Sequence, residues 1–214
     1  MAAGRGNRMM PLTDHIPKAM AGYDGSTLIA KGIGKIKKHI PNVHITVGYK
    51  KAMLAKHVIE YNVSSIFNTE GKGNSWWIYN TLMKYINEPV LVLTCDNIIE
   101  LDIERLYKNY VKYGKPACMV IPVQPVNGLE GDYIFCNNNI VYELSREKPS
   151  EIYCSGIQII NPFEINAMTK PTEDFYLLWE QLISQKKLYC SDVYPENWFT
   201  VDTVEQLNNL KKFF

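Results

Sequence analysis

The sequence lacks paired cysteines, an excess charge of either sign and any long apolar run. Its five cysteines (Cys95, Cys118, Cys136, Cys154 and Cys190) are odd in number, widely spaced and without a C-x-x-C pair. That pattern argues against a disulfide framework or a zinc centre and for a reducing, cytoplasmic compartment. With 23 Lys+Arg against 22 Asp+Glu the net charge is only +1. A sequence-independent nucleic-acid binder carries a strong basic excess, so that class is disfavoured. No stretch reaches the roughly 20 apolar residues of a membrane-spanning helix, and the N-terminus has no signal-peptide core. Neither a G-x-x-x-x-G-K-[S/T] loop nor a G-x-G-x-x-G fingerprint is present, since Met9 stands where a third glycine would fall. The four histidines, His15, His39, His44 and His57, have no metal-ligand spacing and no nucleophile beside them.

What is present is 214 residues with 46% hydrophobic content, enough to bury a core without staples. With no linker, repeat or charge block, one domain over residues 1–214 is the expectation. Residues 1–24 hold glycines and prolines and read as a long functional loop. Leu28, Ile29, Ile33, Ile36 and Ile40 recur at helical spacing, with Lys35, Lys37 and Lys38 as the wet face. A strand at 43–47, a helix near 51–61, a strand at 65–67 and a Trp-rich helix near 75–86 follow. The apolar run 90–93 reads as a central strand buried on both faces. Strand-like runs at 133–135, 140–144 and 157–160 read as antiparallel additions forming one wall of a site. Phe175, Leu178, Trp179, Leu182 and Ile183 form a late helix, and Thr203 to Gln206 is a capping box before the last one. The alternation predicts an α/β fold with a mixed, mostly parallel sheet flanked by helices.

Three groups of residues stand out, although alone Glu147-Lys148-Pro149 reads as a surface turn. Ala2-Ala3-Gly4-Arg5-Gly6-Asn7-Arg8, followed by Pro11-Leu12-Thr13 and Pro17-Lys18, places flexible backbone N–H groups and two cations together. Such a loop can close on phosphate oxygens. Asp96 ends an apolar strand, at the sheet edge where ligands of open α/β folds collect, although alone an aspartate there reads as a helix cap or turn. Arg146-Glu147-Lys148-Pro149 lies between strand patterns and precedes Cys154-Ser155-Gly156-Ile157. Trp76 and Trp77 sit at a helix start, where core packing is the simpler reading.

Taken in order, these strings resemble the sugar-1-phosphate nucleotidyltransferase family, from Ala2 to about Leu210. The resemblance implies a Rossmann-like domain in which Ala2, Ala3, Gly4, Gly6, Asn7 and Arg8 bind the nucleotide triphosphate. It implies that Arg8, Lys18 and Asp96 act in catalysis and that Asp96 and Asp202 hold Mg²⁺. It implies further that Lys18, Glu147, Lys148 and Gly156 face the acceptor. The family opens on a hydrophobic strand, of which only Met1-Ala2-Ala3 remain here, so truncation upstream of residue 1 is expected. Asn7 replaces the usual Ser or Thr, and Cys95 replaces a usual Gly. The segment 68–77 departs from the family's Gln and L-G-T-A pattern, which leaves the base undetermined. That segment looks like the phosphocholine cytidylyltransferase branch, which typically lacks the E-K-P element found here.

The implied reaction joins a nucleoside triphosphate to a sugar-1-phosphate, releasing pyrophosphate, without nucleic acid or membrane partners. A homo-oligomer is compatible with this reading. Two alternatives stay open: a phosphorylated alcohol such as phosphocholine as acceptor, and a catalytically silent, nucleotide-sugar-binding paralogue.

Overall fold

Thr27 accepts a hydrogen bond from the Ala30 amide at 3.2 Å, which starts the first helix, Leu28–Ile36, where the apolar period begins. The computed structural model describes residues 1–126 and 131–213, the last three by backbone only. These residues form two compact units. Among them, no helix is long and apolar enough to cross a membrane.

The first unit comprises Met1–Lys72, Thr94–Ile99 and Asn197–Phe214. His44–Val47 and Ser65–Asn68 pair in parallel, as a crossover through the Lys51–Ile59 helix requires. Ala2 bridges Val47 in parallel, and the Met1 carbonyl accepts from the Cys95 amide at 3.0 Å. Residues 1–3 thus run between the 44–47 strand and the segment at Cys95. The first helix lies against two apolar clusters. Ile29 and Ile33 pack with Ile45, Val47, Leu54 and Val58. Leu28 packs with Met9, Tyr23, Val201, Leu207 and Leu210. Each such side chain, fully buried, contributes about 1.5–3 kcal/mol. The expected loop 1–24 is ordered by three short 3₁₀ turns, Asn7–Met9, Leu12–Asp14 and Lys18–Met20. Lys35 is exposed as expected, while Lys37 reaches the Tyr61 and Asn62 carbonyls at 3.0 Å each.

The second unit comprises Gly73–Leu93 and Glu100–Glu196. Its six-stranded sheet runs in the order Val90–Val92, Tyr153–Ile160, Cys118–Val123, Leu188–Cys190, Ile140–Ser145, Tyr133–Asn137. Leu188–Cys190 is parallel to Cys118–Val123, and the other pairings of this sheet are antiparallel. The α/β class with a mixed sheet therefore holds, but this sheet is mostly antiparallel rather than mostly parallel, because Tyr153–Ile160 and the 133–145 hairpin join it by antiparallel pairing. Val90–Val92 stands at the edge of this sheet, and the strand buried along its whole length is Cys118–Val123. An apolar run marks burial on average but does not identify the middle strand. The helix expected near 75–86 breaks at Thr81 into Trp76–Asn80 and a 3₁₀ turn, Leu82–Tyr85. Thr81 leaves helical geometry, donates to the Trp77 carbonyl at 2.7 Å and accepts from the Met83 amide at 3.2 Å. This is the side-chain competition with helix hydrogen bonds for which threonine is known.

One polar clasp ties this unit together. The Asp192 carboxylate accepts from Tyr113 Oη and Asn139 Nδ2 at 2.6 Å each. It also accepts from Lys112 Nζ and Asn109 Nδ2 at 3.2 Å each. Burial alone would raise its pKa, but these four donors outweigh it and lower it from 3.8 to about 2. A depressed folded-state pKa adds stability above pH 3.8 that disappears as pH falls toward 2. Because the side chain is nearly half exposed, solvent screening cuts the contribution to about 1 kcal/mol. Asp192→Asn should therefore lower stability by about 1 kcal/mol at neutral pH. Urea melts should show that gap closing below about pH 4.

Candidate functional site

In the first unit, two distant segments are brought together by backbone pairing. Asn97–Glu100 pairs with Asn197–Thr200, and the Val201 amide donates to the Asp96 carbonyl at 2.9 Å. Asp96 and Asp202 flank this ladder, so their carboxylates converge although 106 positions separate them. The last helix fixes Asp202 from the other side. Gln206 Oε1 accepts from the Asp202 and Thr203 amides at 2.6 and 3.0 Å, and Thr203 Oγ1 accepts from the Gln206 amide at 3.1 Å. This is the capping box read from the sequence.

Lys18 lies at the convergence point. Its Nζ donates to Asp96 Oδ2 and to Asp202 Oδ1, at 2.7 Å each. Arg8 Nη2 approaches Asp202 Oδ1 to 3.1 Å from the solvent side. The side chains of Lys18, Asp202 and Asp96 are 11%, 17% and 27% exposed, against 70% for Arg8. Burial works against the charge of Lys18, but Asp96, with hydrogen bonds to both carboxylates, outweighs it and raises the pKa. Burial likewise opposes ionisation of Asp96, and the Lys18 ammonium reverses the balance, holding the carboxyl below its usual value. Both groups are charged at neutral pH. Beside them, burial and the Asp96 carboxylate push the Cys95 thiol up to about 12. It remains a protonated thiol packed against the core, without nucleophilic character.

The glycine loop explains why Lys18 stands there. Gly6 has φ +69°, and its carbonyl accepts from the Met9 amide at 2.9 Å and Thr13 Oγ1 at 3.1 Å. A Cβ at Gly6 would meet Lys18 Cβ at 2.8 Å, whereas one at Gly4 would meet nothing within 4 Å. Gly6→Ala should therefore cost about 1–3 kcal/mol through strain and displacement of the Lys18 stem. Gly4→Ala should stay within about 0.5 kcal/mol, a contrast that thermal melts would read.

Among the described residues, no group of three or more His, Cys, Asp or Glu side chains converges as a metal cluster. Asp96 and Asp202 do meet on one cation, and carboxylate oxygens are the donors that suit a hard divalent ion such as Mg²⁺. A pair of protein carboxylates leaves the remaining positions to water and phosphate, which is how Mg²⁺ is usually held. The residues fit that ion.

Of the residues expected on the acceptor side, Lys18 belongs to the first unit, and Glu147, Lys148 and Gly156 belong to the second. Lys148 Nζ pairs with Glu143 Oε2 at 3.1 Å and lies 4.3 Å from the centre of the Phe135 ring. Ser145 Oγ accepts from the Glu147 and Lys148 amides at 3.2 and 2.9 Å, shaping this exposed turn. Gly156, at φ +79°, sits where the register of the Tyr153–Ile160 strand shifts, a β-bulge that needs a positive φ. Trp77 is buried, as the core reading has it. Asp102 caps the Ile103–Lys112 helix, accepting from the Arg105 amide at 2.9 Å. His44 pairs with Ser65 Oγ at 2.8 Å and His57 with Thr27 Oγ1 at 2.9 Å, both local structural roles. What sequence reasoning missed is the direct bond of Lys18 to both aspartates. The short distance from Gly6 to Lys18 along the chain signals that the lysine follows the loop, but not which anions it meets.

Comparison with known proteins adds the following. The family model for nucleotidyl transferases matches residues 1–155. The bifunctional protein GlmU of Methanococcus aeolicus is 30% identical over 81% of this chain and 42% of its own length. A mannose-1-phosphate guanyltransferase of Pichia angusta is 26% identical over 94% of this chain and 59% of its own. The chain thus spans about half the length of these curated relatives. A solved CTP:phosphocholine cytidylyltransferase from Streptococcus pneumoniae shares the fold at TM-score 0.74 and 19% identity, covering 99% of this chain and 96% of that one.

Proposed function

We propose that this chain, which belongs to the nucleotidyl transferase family, transfers a nucleotidyl group from a nucleoside triphosphate to a sugar-1-phosphate. The observation that carries the reading is the convergence of Lys18, Arg8, Asp96 and Asp202 on one another at 2.7–3.1 Å, at the end of a glycine loop. The similarity to a mannose-1-phosphate guanyltransferase supports the choice of acceptor class.

The chemistry asks little of the protein in proton transfer. A phosphate monoester is already largely ionised near neutral pH, its second pKa being about 6. Its oxygen attacks the α-phosphorus, and pyrophosphate leaves with the bonding electrons. The obstacle is two polyanions meeting in line, so positioning and charge neutralisation carry the catalysis. The amides of the Gly4–Arg8 loop would hold triphosphate oxygens, with Arg8 and Lys18 supplying charge. By family resemblance Lys18 would also face the acceptor phosphate. Asp96 and Asp202 would hold Mg²⁺, which when bound neutralises phosphate charge and polarises the phosphorus–oxygen bonds. Glu147 and Lys148 would serve the acceptor by family resemblance, Lys148 first leaving Glu143.

The test is pyrophosphate release with Mg²⁺, crossing four nucleoside triphosphates with several sugar-1-phosphates and phosphocholine. Release with one sugar-1-phosphate pair supports the reading and names both substrates. Release with CTP and phosphocholine alone replaces the acceptor but keeps the mechanism. Nucleotide-sugar binding without release would mark a silent paralogue.

A further inference from the structure

We propose that Lys18 is a resident counter-ion of the metal-binding carboxylates, which keeps a divalent cation out until nucleotide arrives and takes the lysine away. The inference rests on the nucleotidyl-transfer reading of the same carboxylates and adds an order to it. Lys18 Nζ donates to Asp96 Oδ2 and Asp202 Oδ1 at 2.7 Å each, and Arg8 Nη2 stands 3.1 Å from the same Asp202 oxygen. Two negative and two positive charges cancel within this cluster. A divalent cation entering alone would meet the ammonium at close range in a poorly solvated pocket, where like charges repel strongly. It would also raise the local charge to about +2. A triphosphate entering with it supplies new anionic partners for Lys18 and Arg8. The carboxylates then become free for the cation as the lysine transfers to phosphate. Cation and nucleotide should therefore bind with positive coupling, and by linkage each should tighten the other equally.

Manganese titration, followed by the electron paramagnetic resonance of the free ion, tests this without turnover. The wild-type chain should bind Mn²⁺ weakly alone and at least tenfold more tightly with a non-hydrolysable nucleoside triphosphate, beyond the Mn²⁺ that the nucleotide takes up in protein-free controls. Lys18→Met should bind Mn²⁺ alone about tenfold or more tightly than wild type, and its coupling to nucleotide should shrink. Lys18→Arg, which keeps the charge, should stay weak. An affinity of Lys18→Met within twofold of wild type would overturn the counter-ion role. If wild type still bound Mn²⁺ with nucleotide, the nucleotidyl-transfer reading would survive that failure. Absence of Mn²⁺ binding in every variant, with and without nucleotide, would overturn both.

Should Lys18→Met not fold, the wild-type chain supplies a second reading. Mn²⁺ alone, at concentrations that fill the site, should raise the rate of Lys18 acetylation by acetic anhydride several-fold, read by mass spectrometry. An unchanged rate at full occupancy would contradict displacement.

Discussion

Asp96→Asn should lower pyrophosphate release by at least about 10²–10³-fold while leaving the fold intact. The asparagine keeps the shape of the side chain, and Lys18 retains Asp202 at 2.7 Å, so no buried cation is stranded. What disappears is one of the two carboxylates that would hold a divalent cation, together with the charge that orients the lysine. Asp202→Asn should cost a similar factor and also release Arg8, whose 3.1 Å contact is to that carboxylate. If the two aspartates act as one ligand pair, as proposed, the double variant should lose little more than either single one. Steady-state kinetics at saturating substrate, beside a circular-dichroism melt, separates this outcome from unfolding. A variant that melts normally yet keeps within fivefold of wild-type turnover would remove Asp96 from the catalytic apparatus.

The second large effect concerns stability, at a glycine outside the phosphate loop. A Cβ on Gly73 would stand 1.9 Å from the carbonyl oxygen of Glu173 and 2.7 Å from its carbonyl carbon. Both are backbone atoms that cannot rotate away. Several hydrogen bonds hold the two segments together. Ser75 Oγ donates to the Thr172 carbonyl at 2.9 Å, and the Ser75 amide donates to the Glu173 carbonyl at 3.2 Å. Asn74 Oδ1 accepts from the Phe175 amide at 2.8 Å, where the Phe175–Ser184 helix begins. Gly73→Ala should force these contacts apart and cost about 3 kcal/mol, or roughly 6–12 °C in Tm for a chain of this size. Gly71→Ala provides the comparison. Its φ of +71° is strained for alanine, but nothing lies within 4 Å of its Cβ position, so about 1 kcal/mol is expected. Equal losses at the two positions would mean that the close approach of 73 to 173 contributes nothing.

The contrast between these sites shows what a sequence can disclose. Asp96 and Asp202 are legible because the local strings around them resemble the family's metal-binding elements; an aspartate after an apolar run would alone read as a cap or a turn. The capping box after Asp202 is local too, and the hydrogen bonds of Gln206 and Thr203 realise it. Helix starts at Leu28 and Phe175 follow from the capping side chains of Thr27 and Asp174 immediately before them. Gly73 is different. Its partner lies 100 positions further along the chain, and nothing near it in sequence reports the encounter. The Asp192 clasp is similarly non-local, drawing donors from residues 109, 112, 113 and 139. The sheet order escaped for the same reason. Apolar content marks 90–93 as buried strand, yet register with Gln158, Ile159 and Ile160 puts it at an edge. The lysine shows a subtler limit. Its place in the loop is local information, but its partners are set by how Asp96 and Asp202 meet, which is tertiary.

The central claim is attack by an acceptor phosphate oxygen on the α-phosphorus, with pyrophosphate as the leaving group. Following ¹⁸O tests it most directly. The responding sugar-1-phosphate, labelled in its non-bridging phosphate oxygens, is turned over with unlabelled nucleoside triphosphate, and both products are weighed by mass spectrometry. All label should appear in the nucleotide-sugar and none in the pyrophosphate. Label in the pyrophosphate, or a nucleoside monophosphate carrying solvent oxygen in place of the nucleotide-sugar, would contradict the account.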